Sequence, residues 1–179
     1  MKGLNLKYEI RETDTEPAEL LYLCGLWSYK GDKTGKKNVI LKAYKNDETL
    51  GCIEYSFFRK GEKTGLKYNP RYPGNGVNIE RIAVAGKWRN NGVGRELVEA
   101  CVRDARIADS TNDFLFADDI DPESAKFFEK CGLRLKTSEV CDGIEVIYGV
   151  RYIGNVQPEY FLENEDLEER KKYWKENLK

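Results

Sequence analysis

The sequence predicts an α/β fold (α+β), in which helices flank a central mixed β-sheet. Segments that alternate polar and apolar residues, as strands do, are interspersed with segments whose apolar residues recur every three or four positions, as in helices. The order of these segments is β, α, β, β, β, α, β, α, β, β. Helical segments between strands favour a sheet with parallel as well as antiparallel neighbours.

The first predicted elements are a strand and a helix. Alternation predicts the strand over residues 6–11. Residues 13–17 then offer a helix start ahead of a leucine-rich stretch that ends at Leu26. A turn rich in Lys and Gly follows over residues 30–37.

A hairpin and a long loop come next. Strands are predicted over residues 39–45 and 49–58, and the polar residues 46–48 between them predict a hairpin. The segment 59–76 is rich in Gly, Pro, Tyr and basic residues, so we expect a loop there.

The middle of the chain contains a strand over residues 77–84 and a long amphipathic helix that starts at Gly92. The apolar stripe of this helix is Leu97, Val98, Cys101, Val102, Ala105 and Ala108.

The last part of the domain is predicted to be strand, helix and hairpin. A short strand covers residues 114–117, and a helix runs over residues 121–130 from an Asp-Pro start to a glycine stop. Strands over residues 133–140 and 144–153 would pair as a hairpin. Residues 157–179 have the charge order of a separate helix, with acids before bases.

Length and charge favour one domain with a balanced surface. The 179 residues suffice for one core, so we expect a domain over residues 1–155 and a helical extension over 156–179. With 30 Lys and Arg against 31 Asp and Glu, no excess charge is present to bind nucleic acid or an anionic membrane. No signal-peptide core and no apolar run of about 18 residues occurs, so we expect a cytoplasmic protein.

Residue types exclude several kinds of catalysis. The chain has no histidine, which excludes the usual zinc sites and Ser-His or Cys-His catalysis, and we expect no metal. Its 5 cysteines are widely spaced without a Cys-x-x-Cys pair, which is typical of reduced core thiols.

A turn with two glycines and two asparagines lies where the long helix begins. Backbone N–H groups at a helix start lack internal acceptors and lie at the positive end of the helix dipole, so they bind anions if side chains leave them uncovered. The spacing fits neither a Walker loop nor a dinucleotide fingerprint. The alternative is a tight strand-to-helix turn without a ligand.

Two motifs together resemble the GNAT family of N-acetyltransferases. Residues 89–94, Arg-x-x-Gly-x-Gly, stand between a strand and an amphipathic helix and are similar to the family's acyl-CoA-binding motif. Residues 121–133, Asp-x-x-Ser-x-x-Phe-Phe-Glu-Lys-Cys-Gly-Leu, are similar to its second signature, Asn-x-x-Ala-x-x-Phe-Tyr-x-Lys-x-Gly-Phe. The element order over residues 6–153 also agrees with the family's fold.

The resemblance implies a binding site for acetyl-CoA as co-substrate. Its pyrophosphate would lie on the N–H groups at the helix start, where the glycines permit close approach. Its pantetheine arm would pair with the preceding strand, and a backbone N–H there would polarise the thioester carbonyl. Asp121 replaces an asparagine that touches pantetheine in the family, and Phe128 would pack near the thioester. The implied binding residues are Ile82, Ala83, Val84, Arg89, Asn90, Asn91, Gly92, Val93, Gly94, Arg95, Asp121 and Phe128.

The resemblance also implies a general base. A lysine-like amine has a pKa near 10.4, so its neutral form at pH 7 lies about 4.6 kcal/mol away. Glu80 occupies the position of a glutamate that is the proposed base in some family members. The alternative is that Glu80 is a solvated or ion-paired strand residue beside Arg81.

The family's general acid is absent, since Phe128 stands where the family commonly has tyrosine. A thiol has a pKa of about 8.5, so helping it to leave is worth roughly 2 kcal/mol, and the loss slows turnover without preventing it. Tyr148 or solvent would replace the tyrosine, although Tyr148 equally fits a structural strand residue. Cys131 is expected to be a core thiol.

Two functional hypotheses follow. The first is an N-acetyltransferase that moves acetyl from acetyl-CoA to a primary amine of a small molecule or protein by direct attack on the thioester. The alternative is a catalytically weakened CoA-binding module that acts through a protein partner. Asp118 and Asp119 either face the acceptor amine or are loop acids. The C-terminal helix docks on its own protomer or on a second one, which leaves a homodimer open.

Overall fold

The computed structural model describes residues 8–13, 38–64, 66, 71–139 and 144–154. The strands are β1 (Glu9–Glu12), β2 (Val39–Lys45), β3 (Glu48–Phe58), β4 (Asn75–Val84), β5 (Asn112–Ala117), β6 (Arg134–Glu139) and β7 (Glu145–Tyr152). The helices are α1 (Val93–Ala108) and α2 (Ala125–Lys130), and single 3-10 turns occupy Gly86–Trp88 and Pro122–Ser124.

The strands form one mixed sheet in the order β1-β2-β3-β4-β5-β7-β6. Neighbouring strands are antiparallel except for β4 and β5, which are parallel. A parallel pair needs a crossover connection, and α1 supplies it. The predicted α/β fold with a mixed sheet is therefore confirmed.

Several predictions lie outside the described residues. They are the helix that starts at residues 13–17, the turns at 30–37 and 141–143, and the extension over 156–179 with its boundary to the domain.

The hairpin of β2 and β3 has the backbone that its sequence predicts. Asn46 and Asp47 have φ values of 49° and 64°, in the left-handed region that Asn and Asp tolerate best among non-glycine residues. Two such residues form the turn whose twist matches that of the flanking strands.

Helix α1 packs against one face of the sheet. Leu97, Val98 and Cys101 are completely buried against strand residues such as Ile53 and Leu115. Burying a leucine side chain contributes about 1.5–3 kcal/mol, so this interface is a main source of stability. Ala108, predicted on the buried stripe, is the last helical residue and is exposed.

An aromatic cluster occupies the opposite face of the sheet. Because side chains alternate along a strand, Leu115 faces α1 whereas Phe116 faces away from it. The rings of Phe58 and Tyr72 stack with centroids 3.7 Å apart. Tyr72 comes from the predicted loop over 59–76, which is shorter than predicted because β4 already begins at Asn75.

The segment that carries the second motif starts with a 3-10 turn rather than an α-helix. Asp121 caps it, since Oδ1 accepts a hydrogen bond from the Glu123 N–H at 2.9 Å. Helix α2 follows and ends before Gly132, whose φ of 84° suits a glycine. The predicted cap and stop are therefore both present.

Candidate active site

No side chain caps the start of α1, although the Arg89 N–H of the preceding turn donates to the Gly86 carbonyl at 3.3 Å. Gly92 is the N-cap residue, with a φ of 86°. Asn90 is also left-handed, with a φ of 64°. A Cβ atom built on Gly92 would meet nothing within 4 Å, so the space beside the first helical turn is open. This geometry is that of an anion-binding helix start.

Side chains of the turn hold its backbone instead of covering it. Arg89 Nε donates to the Val84 carbonyl at 3.1 Å, and Asn91 Nδ2 donates to the Arg89 carbonyl at 3.0 Å. The Trp88 indole N–H donates to Glu48 Oε1 at 2.9 Å, which ties the turn to the β2–β3 hairpin. The turn is thus preorganised by contacts to its own neighbours.

Gly94 has a different physical role from Gly92. It is buried, and a Cβ atom on it would lie 2.9 Å from Cε2 of Phe127 and 3.4 Å from Cγ2 of Val84. The second glycine of the motif therefore makes room for the α2 ring that packs against α1, rather than for a ligand. Phe127 was not among the predicted site residues, although the Phe-Phe pair of the second motif contains it.

Gly94→Ala is expected to lower the free energy of unfolding by about 1–3 kcal/mol, because adding a methyl group to a filled interior forces its neighbours to shift. Urea denaturation measures the loss, and adding Phe127→Leu should recover part of it. Gly86→Ala is the control and is expected to be neutral or slightly stabilising, since nothing lies within 4 Å of that position. If Gly94→Ala lowered the free energy of unfolding equally in the wild-type and Phe127→Leu backgrounds, this role of Gly94 would be contradicted.

Strands β4 and β5 separate beside the turn. Their pairing ends at Ile79 and Ala117, whereas β3 stays paired with β4 as far as Val84. The edge of β4 that contains Ile82 and Ala83 is therefore not covered by β5. An extended ligand can add to such an edge as a further strand. The predicted pantetheine residues thus lie between the helix start and the strand separation.

A β-bulge places Glu80 at the point of separation. Tyr55 pairs with Ile79 and Glu54 pairs with Arg81, so Glu80 is the extra residue of β4. A bulge re-aims a side chain. Glu80 is exposed, and its Oε1 accepts hydrogen bonds from the Ser56 hydroxyl and, at 3.2 Å, from Asn78 Nδ2. Its partners are neutral, so the alternative of an ion pair with Arg81 does not describe this residue.

Asp118 lies beside Glu80 across the separation. Asn78 Nδ2 also donates to Asp118 Oδ1 at 3.1 Å, so one amide group links the two carboxylates. Burial raises the pKa of Asp118, and the charge of Glu80 raises it further. Burial also raises the pKa of Tyr72, and the charges of Asp118 and Glu80 raise it further. Asp118 is thus half-buried beside Glu80, whereas Asp119 is exposed in a left-handed conformation, and a role for either with the acceptor amine stays a prediction.

Asp118→Asn is expected to raise the free energy of unfolding at pH 7. A carboxyl group whose pKa is raised by folding binds its proton more tightly in the folded state, so it destabilises the fold progressively as pH rises above its unfolded pKa of about 3.9. An amide cannot ionise, so the gain is expected at pH 7 and should vanish well below pH ~4. Urea denaturation at both pH values, with Asp119→Asn as the exposed control, measures it. A gain that persists in acid would contradict burial of the charge as the cause.

The residues considered for the leaving-group side are buried. Phe128 is 6% exposed and belongs to the core cluster that includes α1, and its contact with the thioester stays a prediction. Tyr148 is fully buried, with its ring 5.7 Å from that of Phe116, and is a structural strand residue here. Burial, followed by the charge of Glu99, raises the pKa of Cys131 to about 11, as expected for a core thiol.

The described residues contain neither a metal-binding cluster nor a membrane-spanning helix. No group of three His, Cys, Asp or Glu side chains is arranged to hold a metal ion. No helix in that part of the chain combines the length and the apolar character needed to cross a membrane.

Comparison with known proteins shows the family and the fold of the chain. Residues 5–133 match the sequence model of the Acetyltransferase (GNAT) family, and no curated protein matches the chain significantly. A Bacillus subtilis acetyltransferase in complex with CoA is 17% identical with a TM-score of 0.56, over 82% of this chain and 99% of the other. The ribosomal-protein-S18-alanine N-acetyltransferase of Escherichia coli is 13% identical with a TM-score of 0.58, over 87% and 100%.

A third similar structure is that of Arabidopsis thaliana NAA60 in complex with acetyl-CoA. It is 13% identical with a TM-score of 0.60, over 82% of this chain and 99% of the other. At these identities the three structures show a common fold.

Proposed function

The chain belongs to the GNAT acetyltransferase family, and on that premise we propose that it transfers an acetyl group from acetyl-CoA to a primary amine. The observation that carries the proposal is the uncovered start of α1 directly beside the separation of β4 and β5. The start of α1 fits a pyrophosphate, and the edge of β4 that β5 leaves uncovered fits an extended arm. Acetyl-CoA contains both of these groups.

The proposed binding mode uses backbone groups. The N–H groups over residues 89–95 hold the pyrophosphate of acetyl-CoA, and the positive end of the α1 dipole adds to the attraction. The edge of β4 at Ile82, Ala83 and Val84 pairs with the pantetheine arm. A backbone N–H in this segment donates to the thioester carbonyl and stabilises the oxyanion that forms on attack.

The proposed reaction is direct transfer. The amine nitrogen attacks the thioester carbonyl carbon, the C–S bond breaks, and CoA leaves as a thiolate that takes a proton from solvent. Glu80 accepts the proton that the amine loses, since it lies at the bulge beside the pantetheine edge. Solvent is assigned the acid role because Phe128 has no hydroxyl and Tyr148 is fully buried.

Calorimetry with CoA and a thiol-release assay with acetyl-CoA test this proposal. We expect CoA to bind, and acetyl-CoA to release its thiol faster when a primary amine from a panel of small amines and lysyl peptides is present. Absence of CoA binding would overturn the proposal. Binding without turnover over the whole panel would favour the alternative, a catalytically weakened CoA-binding module that acts through a protein partner.

A further inference from the structure

A buried asparagine connects the two acids at the separation of β4 and β5. Asn78 is 5% exposed, and its amide nitrogen donates to Glu80 Oε1 and Asp118 Oδ1. The amide uses one oxygen of each carboxylate. Ser56 also donates to Glu80 Oε1, and the Asp118 carboxylate accepts a hydrogen bond from its own backbone N–H, whereas among the described residues no cation pairs with either acid.

The carbonyl oxygen of Asn78 is buried without a hydrogen-bond partner. Leaving a buried acceptor unpaired is costly, so such atoms in folded proteins usually have a ligand or water to satisfy them. The amide cannot rotate to improve this, because its nitrogen is fixed by the two carboxylates. No donor among the described residues satisfies this oxygen, so the missing hydrogen bond falls to a bound ligand or water.

We propose that Asn78, Glu80 and Asp118 form the binding subsite for the acceptor, and that this subsite selects a primary ammonium group. A primary ammonium has three N–H donors, and the three residues offer the Asn78 carbonyl oxygen and the remaining lone pairs of the two carboxylates. The inference rests on the proposed function for the identity of the group as an acceptor. The recognition itself depends only on the described side chains.

The chemistry of the subsite defines the substrate class. Two carboxylates favour a cation over a neutral alcohol or thiol, and each N-methyl group would remove one donor and leave one acceptor unpaired. Glu80 then takes one proton from the bound ammonium, which leaves the neutral amine with its lone pair free to attack. Asp118 and Asn78 keep the remaining two N–H groups in place during this step. The second proton that the nitrogen loses, when the C–S bond breaks and the amide forms, passes through solvent to the departing thiolate.

Binding of simple ammonium ions to the full chain tests the subsite without acetyl-CoA. We expect n-butylammonium to shift the NMR signal of the Asn78 side-chain amide, and N,N,N-trimethylbutylammonium to leave it unchanged. Equal shifts with both ions, or none with either, would overturn the subsite. Failure to bind CoA would instead overturn the proposed function, so the two failures are distinguishable.

Steady-state kinetics give a second test with the best amine of the panel. Asp118→Asn is expected to raise the amine KM by about 10- to 100-fold, the factor expected for one charge-assisted hydrogen bond, and to leave the acetyl-CoA KM unchanged. Asn78→Leu should act in the same direction, and Asp118→Glu should recover part of the loss. Asp119→Asn removes the same charge from the neighbouring position and should have little effect. Similar amine KM values for Asp118→Asn and Asp119→Asn would contradict the proposal.

Discussion

Gly92→Asp is expected to weaken CoA binding by about 100-fold or more. The aspartate side chain would enter the open space beside the first turn of α1, where nothing lies within 4 Å of the new Cβ. Its carboxylate would compete for the backbone N–H groups and repel the pyrophosphate. A single charge-assisted hydrogen bond is worth about 1.5–3 kcal/mol, and about 2.8 kcal/mol corresponds to 100-fold.

Gly61→Asp is a closely matched control for this substitution. Gly61 has a φ of 82°, close to the 86° of Gly92, and a Cβ atom there also meets nothing within 4 Å. Both variants therefore bear the same backbone strain and the same added charge. Calorimetry with CoA should separate them, since only Gly92 lies at the helix start. Equal loss of CoA affinity in both variants would mean that added charge or impaired folding causes the loss, and not the position of Gly92 at the start of α1.

Glu80→Gln is expected to lower kcat by about 10²- to 10⁴-fold, the range typical for a general base. The amide is isosteric and can still accept the hydrogen bond from Ser56, so the bulge should persist. The acetyl-CoA KM is expected to stay unchanged, because Glu80 does not contribute to the proposed pyrophosphate seat.

Glu129→Gln serves as its control, since Glu129 is an exposed acid on α2 and should lose no activity. A Glu80→Gln enzyme with full kcat would contradict the assignment of Glu80 as the base.

The features predicted best from the sequence are those that depend on local chemistry. The β2–β3 hairpin follows from Asn46 and Asp47, which tolerate left-handed angles, and strand β2 has the predicted bounds. The left-handed N-cap conformation of Gly92 follows in the same way, because a single glycine sets the backbone there. In each case the deciding interaction lies within a few residues of the pattern.

The features that escaped prediction depend on contacts between distant segments. Asn78 and Asp118 are 40 positions apart, and only the parallel pairing of β4 with β5 brings them together. Likewise, Gly94 is required by Phe127, which approaches from α2. A polar residue on a buried face of β4 was the one available signal for Asn78. The contact of Asn78 with Glu80 depends on the bulge in β4, and no local sequence pattern predicts that bulge.

Amide chemical shifts of the full chain with CoA and with pantetheine, which lacks the pyrophosphate, test the central claim most directly. CoA is expected to shift the backbone N–H signals over residues 89–95 and those of Ile82, Ala83 and Val84. Pantetheine is expected to shift only the second group. Unchanged signals over residues 89–95 in saturating CoA would contradict the claim that the uncovered start of α1 holds the pyrophosphate.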